Sequence, residues 1–268
     1  KTEMRVECDV ERTISGSANS LEVKIWNLSQ SSRNSLGKEL DFVRLEAGYI
    51  PPEGGGNLSV IGSGNIRDYY HERFGSDIVT TVSCGDGDKS LRKSTISKTL
   101  PKGTKVSDAV GEIYKSLQEQ GVERGEWKFP DPSKTFSRPY SMCGGCAREL
   151  NQLGRSHGFY WSIQDGVLEI IPGDGYIESA VLVSEDTGMI DTPTITDNGV
   201  KVRGLLNPAV RPNRQVKVVS SVLSMNGEND YYRVSNLRFF GNNIDGDFAM
   251  ELECEEIAGG KVNEGVTK

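Results

Sequence analysis

The hydrophobic pattern of this 268-residue chain changes period twice, and that change limits what it can fold into. Over the first hundred residues the apolar positions alternate. Met4, Val6, Cys8 and Val10 form one such set, Leu21, Val23 and Ile25 a second, Val43, Leu45, Ala47 and Tyr49 a third, and Ile78, Thr80, Val82 and Cys84 a fourth. Period two puts one face of a strand on a core and leaves the other wet. Turn residues at Gly16–Asn19 and Pro51–Asn57 separate the runs, and Ser29–Leu36 has room for one short helical turn. Short strands at this spacing predict an antiparallel barrel or sandwich.

Near Leu100 the period lengthens. Val106, Ala109, Val110, Ile113, Tyr114 and Leu117 fall on one face of a helix, with Thr104 as the expected cap and Gly121 as the stop. A second helix is expected from about Met142 to His157, capped by Ser141, with Met142, Cys146, Leu150 and Leu153 on one face and Gly158 ending it. FYWSIQ, the turn Asp165-Gly166 and VLEII then read as a β-hairpin. Strands return after Val181, at Val200 and Val202, Val216 and Val218, Tyr232 and Val234, and in the clean alternation of Phe248, Met250, Leu252 and Cys254. The fold class is therefore α+β, mainly β: a β part over 1–100, a small α+β insert over 101–172, a second β part over 173–258, and a flexible tail over 259–268. The two β parts are expected to be related barrels.

Composition narrows the function classes. A net charge of −7 with scattered basic residues disfavours tight nucleic-acid binding. An acidic protein can still line a passage for DNA, because repulsion keeps the polyanion from sticking. Five cysteines, an odd number, fit reduced thiols better than a disulfide framework. No run of about 18 apolar residues suggests a membrane span, and no signal-peptide pattern is visible. The chain opens on Lys1, already in a strand-like pattern, which points to a start further upstream.

No catalytic, cofactor or metal site is expected. Gly154-Arg155-Ser156-His157-Gly158 matches the G-x-S-x-G string of a nucleophile elbow, but with a helix before it and a strand after it, the reverse of what the elbow needs. Cys143-Gly144-Gly145-Cys146 is a C-x-x-C at an expected helix start, without a second pair for zinc or a thioredoxin-like setting. Gly62-Ser63-Gly64 begins like a dinucleotide fingerprint, but Arg67 stands where the third glycine belongs. Asp86, Asp88 and Ser90 begin like a calcium loop, yet Leu91 and Ser97 take the places of its glycine and its bidentate glutamate; a flexible polar loop is the expectation.

Lys201, Arg203, Arg211, Arg214 and Lys217 form a basic stretch with no acid between Asn198 and Met225. A solvated loop face is the plain reading. The sharper one is a subunit interface in which this stretch meets the acidic strand carrying Glu251, Glu253 and Glu255.

The order of short motifs resembles that of phage tail baseplate hub proteins of contractile tails. The motifs are Asn27-Leu28-Ser29 with Arg33 and Leu36, Ala47-Gly48-Tyr49, Ile61-Gly62-Ser63-Gly64, Gly85-Asp86-Gly87, GTKVSDAV, Asp197–Val200, Asn207-Pro208 with Arg211-Pro212, and Tyr231–Val234. The resemblance implies two tube-protein-like barrels per chain and a homotrimeric ring that joins the tail tube, or a tube-adaptor protein, to the central spike. It also implies contacts with the tape measure protein and baseplate wedge, and DNA passing through without specific binding. There would be no stable membrane insertion. Location in the virion tail baseplate follows, with assembly in the bacterial host cytoplasm. A tail-like bacteriocin or a secretion spike would carry the same kind of hub. Readings of another class are a hydrolase using Ser156 and His157, and a stand-alone β binding module exposing an aromatic patch at Trp161 or Tyr69 and Tyr70.

Overall fold

A computed structural model describes residues 4–38, 41–49 and 56–257. The predicted tail over 259–268 and most of the Pro51–Asn57 turn lie outside the described residues. The first β part contains β1 (Val6–Thr13), β2 (Ser20–Trp26), the short helix α1 (Gln30–Ser35), β3 (Phe42–Ala47), β4 (Ser59–Phe74) and β5 (Asp77–Gly85). Then come α2 (Asp88–Lys93), β6 (Thr95–Leu100), α3 (Val106–Gln118), β7 (Glu123–Trp127), β8 (Tyr140–Gly145), α4 (Cys146–His157), β9 (Phe159–Gln164) and β10 (Val167–Pro172). The last part holds β11 (Ile177–Val183), β12 (Thr194–Thr196), β13 (Gly199–Leu205), β14 (Arg214–Val218), β15 (Tyr231–Asn242) and β16 (Phe248–Glu255).

Among the described residues neither β part forms a closed barrel. Their strands join in one eleven-stranded sheet, in the order β12-β13-β16-β15-β1-β2-β5-β4-β3, with β14 on β15 and β11 on β14. The joint is β1, which pairs antiparallel with β2 on one side and with β15 on the other, Val10 facing both Leu21 and Phe239. Alternation in β1 specifies which face is apolar and is silent on which strand lies alongside. One apolar core accordingly runs through both parts, from Val10, Leu21 and Val82 to Val202, Phe239 and Leu252.

The insert has its own core. Val106, Ala109, Val110, Ile113 and Leu117 of α3 meet Cys146, Leu150 and Leu153 of α4 and Phe159, Trp161, Leu168 and Ile170 of the β9–β10 hairpin. The insert differs from expectation at its helix starts. Met142 and Cys143 belong to β8, which pairs with β6, so the second helix begins at Cys146 and Ser141 is a strand residue. Met142 is still buried, because a strand can deliver the same side chain to the same core. At α3 the cap position is Lys105, and the Thr104 hydroxyl donates instead to the Pro101 carbonyl at 2.8 Å. Gly158 ends α4 at φ 72°, a left-handed conformation that costs a residue with a Cβ. Asp165 and Gly166, at φ 53° and 79°, make the two-residue hairpin turn whose twist matches the flanking strands.

Candidate functional site: a charged sheet face and a polar seam

The outward face of β2, β1, β15, β16 and β13 carries charge in nearly every row. Lys24 lies opposite Glu7, and Glu22 opposite Asp9. Arg238 faces Glu11 on one side and Glu251 on the other. Glu251 faces Arg203, and Glu253 faces Lys201. Arg238 makes two hydrogen bonds to the Asp9 carboxylate, at 2.9 and 2.6 Å. Lys201 meets Glu253 at 2.5 Å. Arg203 reaches Asp247 at 2.7 Å and Asp191 at 3.5 Å. Acids outnumber bases on this face. Glu7, Asp9, Glu11, Glu22, Glu251 and Glu253, with Asp191 and Asp247 at its margin, stand against Lys24, Lys201, Arg203 and Arg238. Two shallow concavities of about 270 and 350 Å³ lie along it, the first over Glu7, Asp9 and Lys24, the second over Glu11, Lys201 and Glu253.

The basic stretch predicted from sequence is thus divided. Lys201 and Arg203 lie on this face and pair with acids of the same chain. Arg211 and Arg214 turn the other way, to Asp165 and Glu169, each at 3.0 Å. Lys217 lies over the Tyr231 ring, 5.5 Å from its centre.

Asp165 and Glu169 belong to a second polar region, the seam between the insert and the sheet. Both faces of β9 are buried. Phe159, Trp161 and Ile163 face the insert core, whereas Tyr160, Ser162 and Gln164, with Glu169 and Ile171 of β10, face the sheet. Burying polar groups is costly unless each finds a partner. Here Arg12, only 2% exposed, donates to Asp165 at 2.8 Å, to Gln164 at 3.3 Å and to the Ile61 carbonyl at 3.4 Å. Gln164 donates to the Thr13 carbonyl at 2.8 Å, and Asn19 donates to Gln164 and to the Ile163 carbonyl. Asn213 and Arg214 hold the two oxygens of Glu169. Arg233, also 2% exposed, donates to the carbonyls of Pro172, Gly173 and Gly175 and to Glu255, with its guanidinium over the Tyr160 ring.

Asp86 completes the seam. It accepts the backbone N–H groups of Asp165 at 2.5 Å and Gly166 at 3.0 Å, and so grips the hairpin turn. Burial, with the nearby Asp165 carboxylate adding to it, raises its pKa to about 6, against the opposing pull of Arg12 and the two N–H donors. The expected flexible loop at Asp86–Ser90 is therefore ordered: Asp86 is buried, Asp88 opens α2 and pairs with Arg67 and Arg92, and the Ser90 hydroxyl donates to the Gln120 carbonyl.

The motif residues have local structural work. Asn27 takes a left-handed conformation at φ 55° between β2 and α1. Its side chain donates to Asp77 and accepts the Ile78 N–H, pinning that turn to the start of β5. Leu28 packs on the main core and Ser29 caps α1. At Gly48 a Cβ would stand 2.7 Å from the Asn57 carbonyl oxygen. The Tyr49 hydroxyl donates to the Phe248 carbonyl at 2.5 Å, which ties the first β part to the last strand. Asn207 accepts the Ala209 N–H, and Pro208 and Pro212 are buried.

Ser156 is exposed on the last turn of α4, beside a cleft of about 210 Å³ lined also by His157, Asp131 and Lys134. Burial, assisted by Lys134, lowers the His157 pKa. Cys143 is exposed on β8, while Cys146 is buried at the start of α4. Trp161 is buried, so it adds nothing to an exposed aromatic patch. Among the described residues no group of three or more His, Cys, Asp or Glu could hold a metal ion, and no helix is long and apolar enough to cross a membrane.

A family model described as baseplate hub gp41 matches residues 1–254. The chain belongs to this baseplate hub family. No curated protein sequence matches it significantly. Among solved structures, the 43 kDa tail protein of prophage MuSo2 from Shewanella oneidensis aligns with a TM-score of 0.65 at 8% identity, over 96% of this chain and 97% of that one. A tail protein from Neisseria meningitidis MC58 aligns with a TM-score of 0.58 at 13% identity, over 98% and 92%. The E. coli c3393 protein, a type VI secretion component described as structurally similar to the T4 tail proteins gp27 and gp5, aligns with a TM-score of 0.64 at 10% identity, over 97% and 75%. At these identities the likeness shows a shared tail-protein fold, mainly antiparallel β.

Proposed function

We propose that this hub protein acts as a non-enzymatic ring subunit: three copies surround a passage for DNA and join the tail tube to the central spike. The observation that carries the reading is the charged sheet face. It is broad, spans strands from both β parts, and holds more acids than bases. Such a surface would keep its shape through cross-strand ion pairs while repelling a polyanion that moves past it. Among the described residues β12 and β3 stand at the ends of the sheet with one neighbour each, and covering such edges would favour assembly by removing an aggregation hazard. A cyclic arrangement would cover them without leaving a free end. Lys201 and Glu253 pair with each other on this face and Arg211 and Arg214 are committed to the seam, so a basic-to-acidic subunit contact would need Lys201 and Glu253 to exchange partners between copies. The tape measure protein and baseplate wedge are further contacts in this reading, with assembly in the host cytoplasm, and a hub of a tail-like bacteriocin or secretion spike would work in the same way.

The test is the mass of the purified chain by light scattering over a range of concentrations, alone and with its spike protein. A trimer in either case supports the ring. A monomer that stays a monomer with spike and tube proteins present refutes it.

A further inference from the structure

The insert and the sheet keep separate apolar cores with the β9–β10 hairpin between them; Asp88 of α2 also pairs with Arg67 of β4, and Gly16 lies against Trp161 and Asn151. The β9–β10 hairpin gives its apolar face to the insert and its mixed face to the sheet. Four clasps act on that mixed face; in one, Gln164 accepts from Arg12 and Asn19 and donates to the Thr13 carbonyl. At the turn, Asp86, Arg12 and Arg211 hold Asp165 and Gly166. In the middle, Asn213 and Arg214 hold Glu169. At the exit, Arg233 holds the carbonyls of Pro172, Gly173 and Gly175. Asp165 Oδ1, Asn213 Oδ1 and Arg233 Nε are buried there without a hydrogen-bond partner. Tyr160 and Ile171 are buried at the seam but belong to neither core.

We propose that the α+β insert is a clasped unit that swings off the sheet as a whole, by releasing these clasps and the Asp88–Arg67 ion pair, while both apolar cores stay closed. The physical basis is a difference in what each opening exposes. Breaking either core puts large apolar surface into water. Parting the seam exposes mainly charged and polar groups, which water re-solvates, together with Tyr160, Ile171 and the part of the Trp161 ring that lies against Gly16. The lowest-energy opening is therefore the seam. The inference does not depend on the ring reading.

The chain carries its own reporters for this. Cys146 is buried in the insert core, and Cys84 and Cys254 in the sheet core. In the full chain, Cys143→Ser removes the exposed thiol and Ser162→Cys places one on the seam face. Thiol labelling under native conditions, read site by site by mass spectrometry, should modify position 162 about tenfold faster or more than Cys146 and Cys84. Adding Arg214→Gln should speed position 162 further and leave the core thiols unchanged. A common rate for all sites, or an equal acceleration of all by Arg214→Gln, would overturn the proposal. Hydrogen exchange on the unaltered sequence is a second, independent check. The amides of Asp165 and Gly166, held by Asp86, should lose protection well before those of the β9–β10 ladder; equal protection would also overturn it.

Discussion

Asp86→Asn should change the pH dependence of stability in a defined direction. Asp86 is 7% exposed, and its pKa is raised from the ordinary 3.8 to about 6, first by burial and then by Asp165. In the unfolded chain the same carboxyl titrates near 3.8. Between these values the native state holds a proton that the unfolded state has released, so this group's contribution falls as pH rises from about 4 to 6 and stays lost above that. At about 1.36 kcal/mol per pKa unit, the loss is on the order of 3 kcal/mol. Asparagine has no such titration. It keeps one acceptor for the hairpin turn and presents an amide to the other N–H, which gives an offset that does not vary with pH. Urea denaturation of both proteins from pH 4 to 8 measures the difference. The stability of the variant relative to wild type should climb by about 2–3 kcal/mol across pH 4–6 and then level off. A flat difference would show that Arg12 and the two N–H donors cancel the burial of Asp86. A slope of opposite sign would show that the ionised form is the favoured one, and would refute the reasoning.

Other substitutions separate the seam from the sheet face and test the insert. Arg12→Ala strips a buried partner from Asp165 and Gln164 and should cost about 3–5 kcal/mol in denaturant unfolding. Lys201→Ala breaks an ion pair with both side chains at least half exposed, and should cost under ~1 kcal/mol, less still at high salt. Leu150→Ala, at a fully buried position between α3 and the hairpin, should cost ~2–5 kcal/mol by the same assay. Gly158→Ala forces a Cβ into the left-handed region at the end of α4 and should lower stability by ~1–2 kcal/mol.

Much of the local structure could be read from residue order. The alternation of Phe248 to Cys254, the apolar face from Val106 to Leu117, the Asp165-Gly166 turn and the Gly158 stop all depend on nearest neighbours along the chain, and each forms as expected. The start of α4 did not, because Met142 fits a buried strand position as well as a helix face.

What sequence alone determined is therefore which side chains are apolar, with what period, and in what order of β, α+β and β; the sequential order of short motifs also indicated the hub family. Tertiary structure decided the partners. It joined the two β parts through β1 into one sheet, because an alternating strand accepts any neighbour whose register fits. It also buried the face of β9 and β10 that carries Ser162, Gln164 and Glu169. Alternation marks such a face as polar but not as wet: Arg12, Asn213 and Arg233, which satisfy it, come from elements tens to more than a hundred residues away, and only the folded chain brings them together.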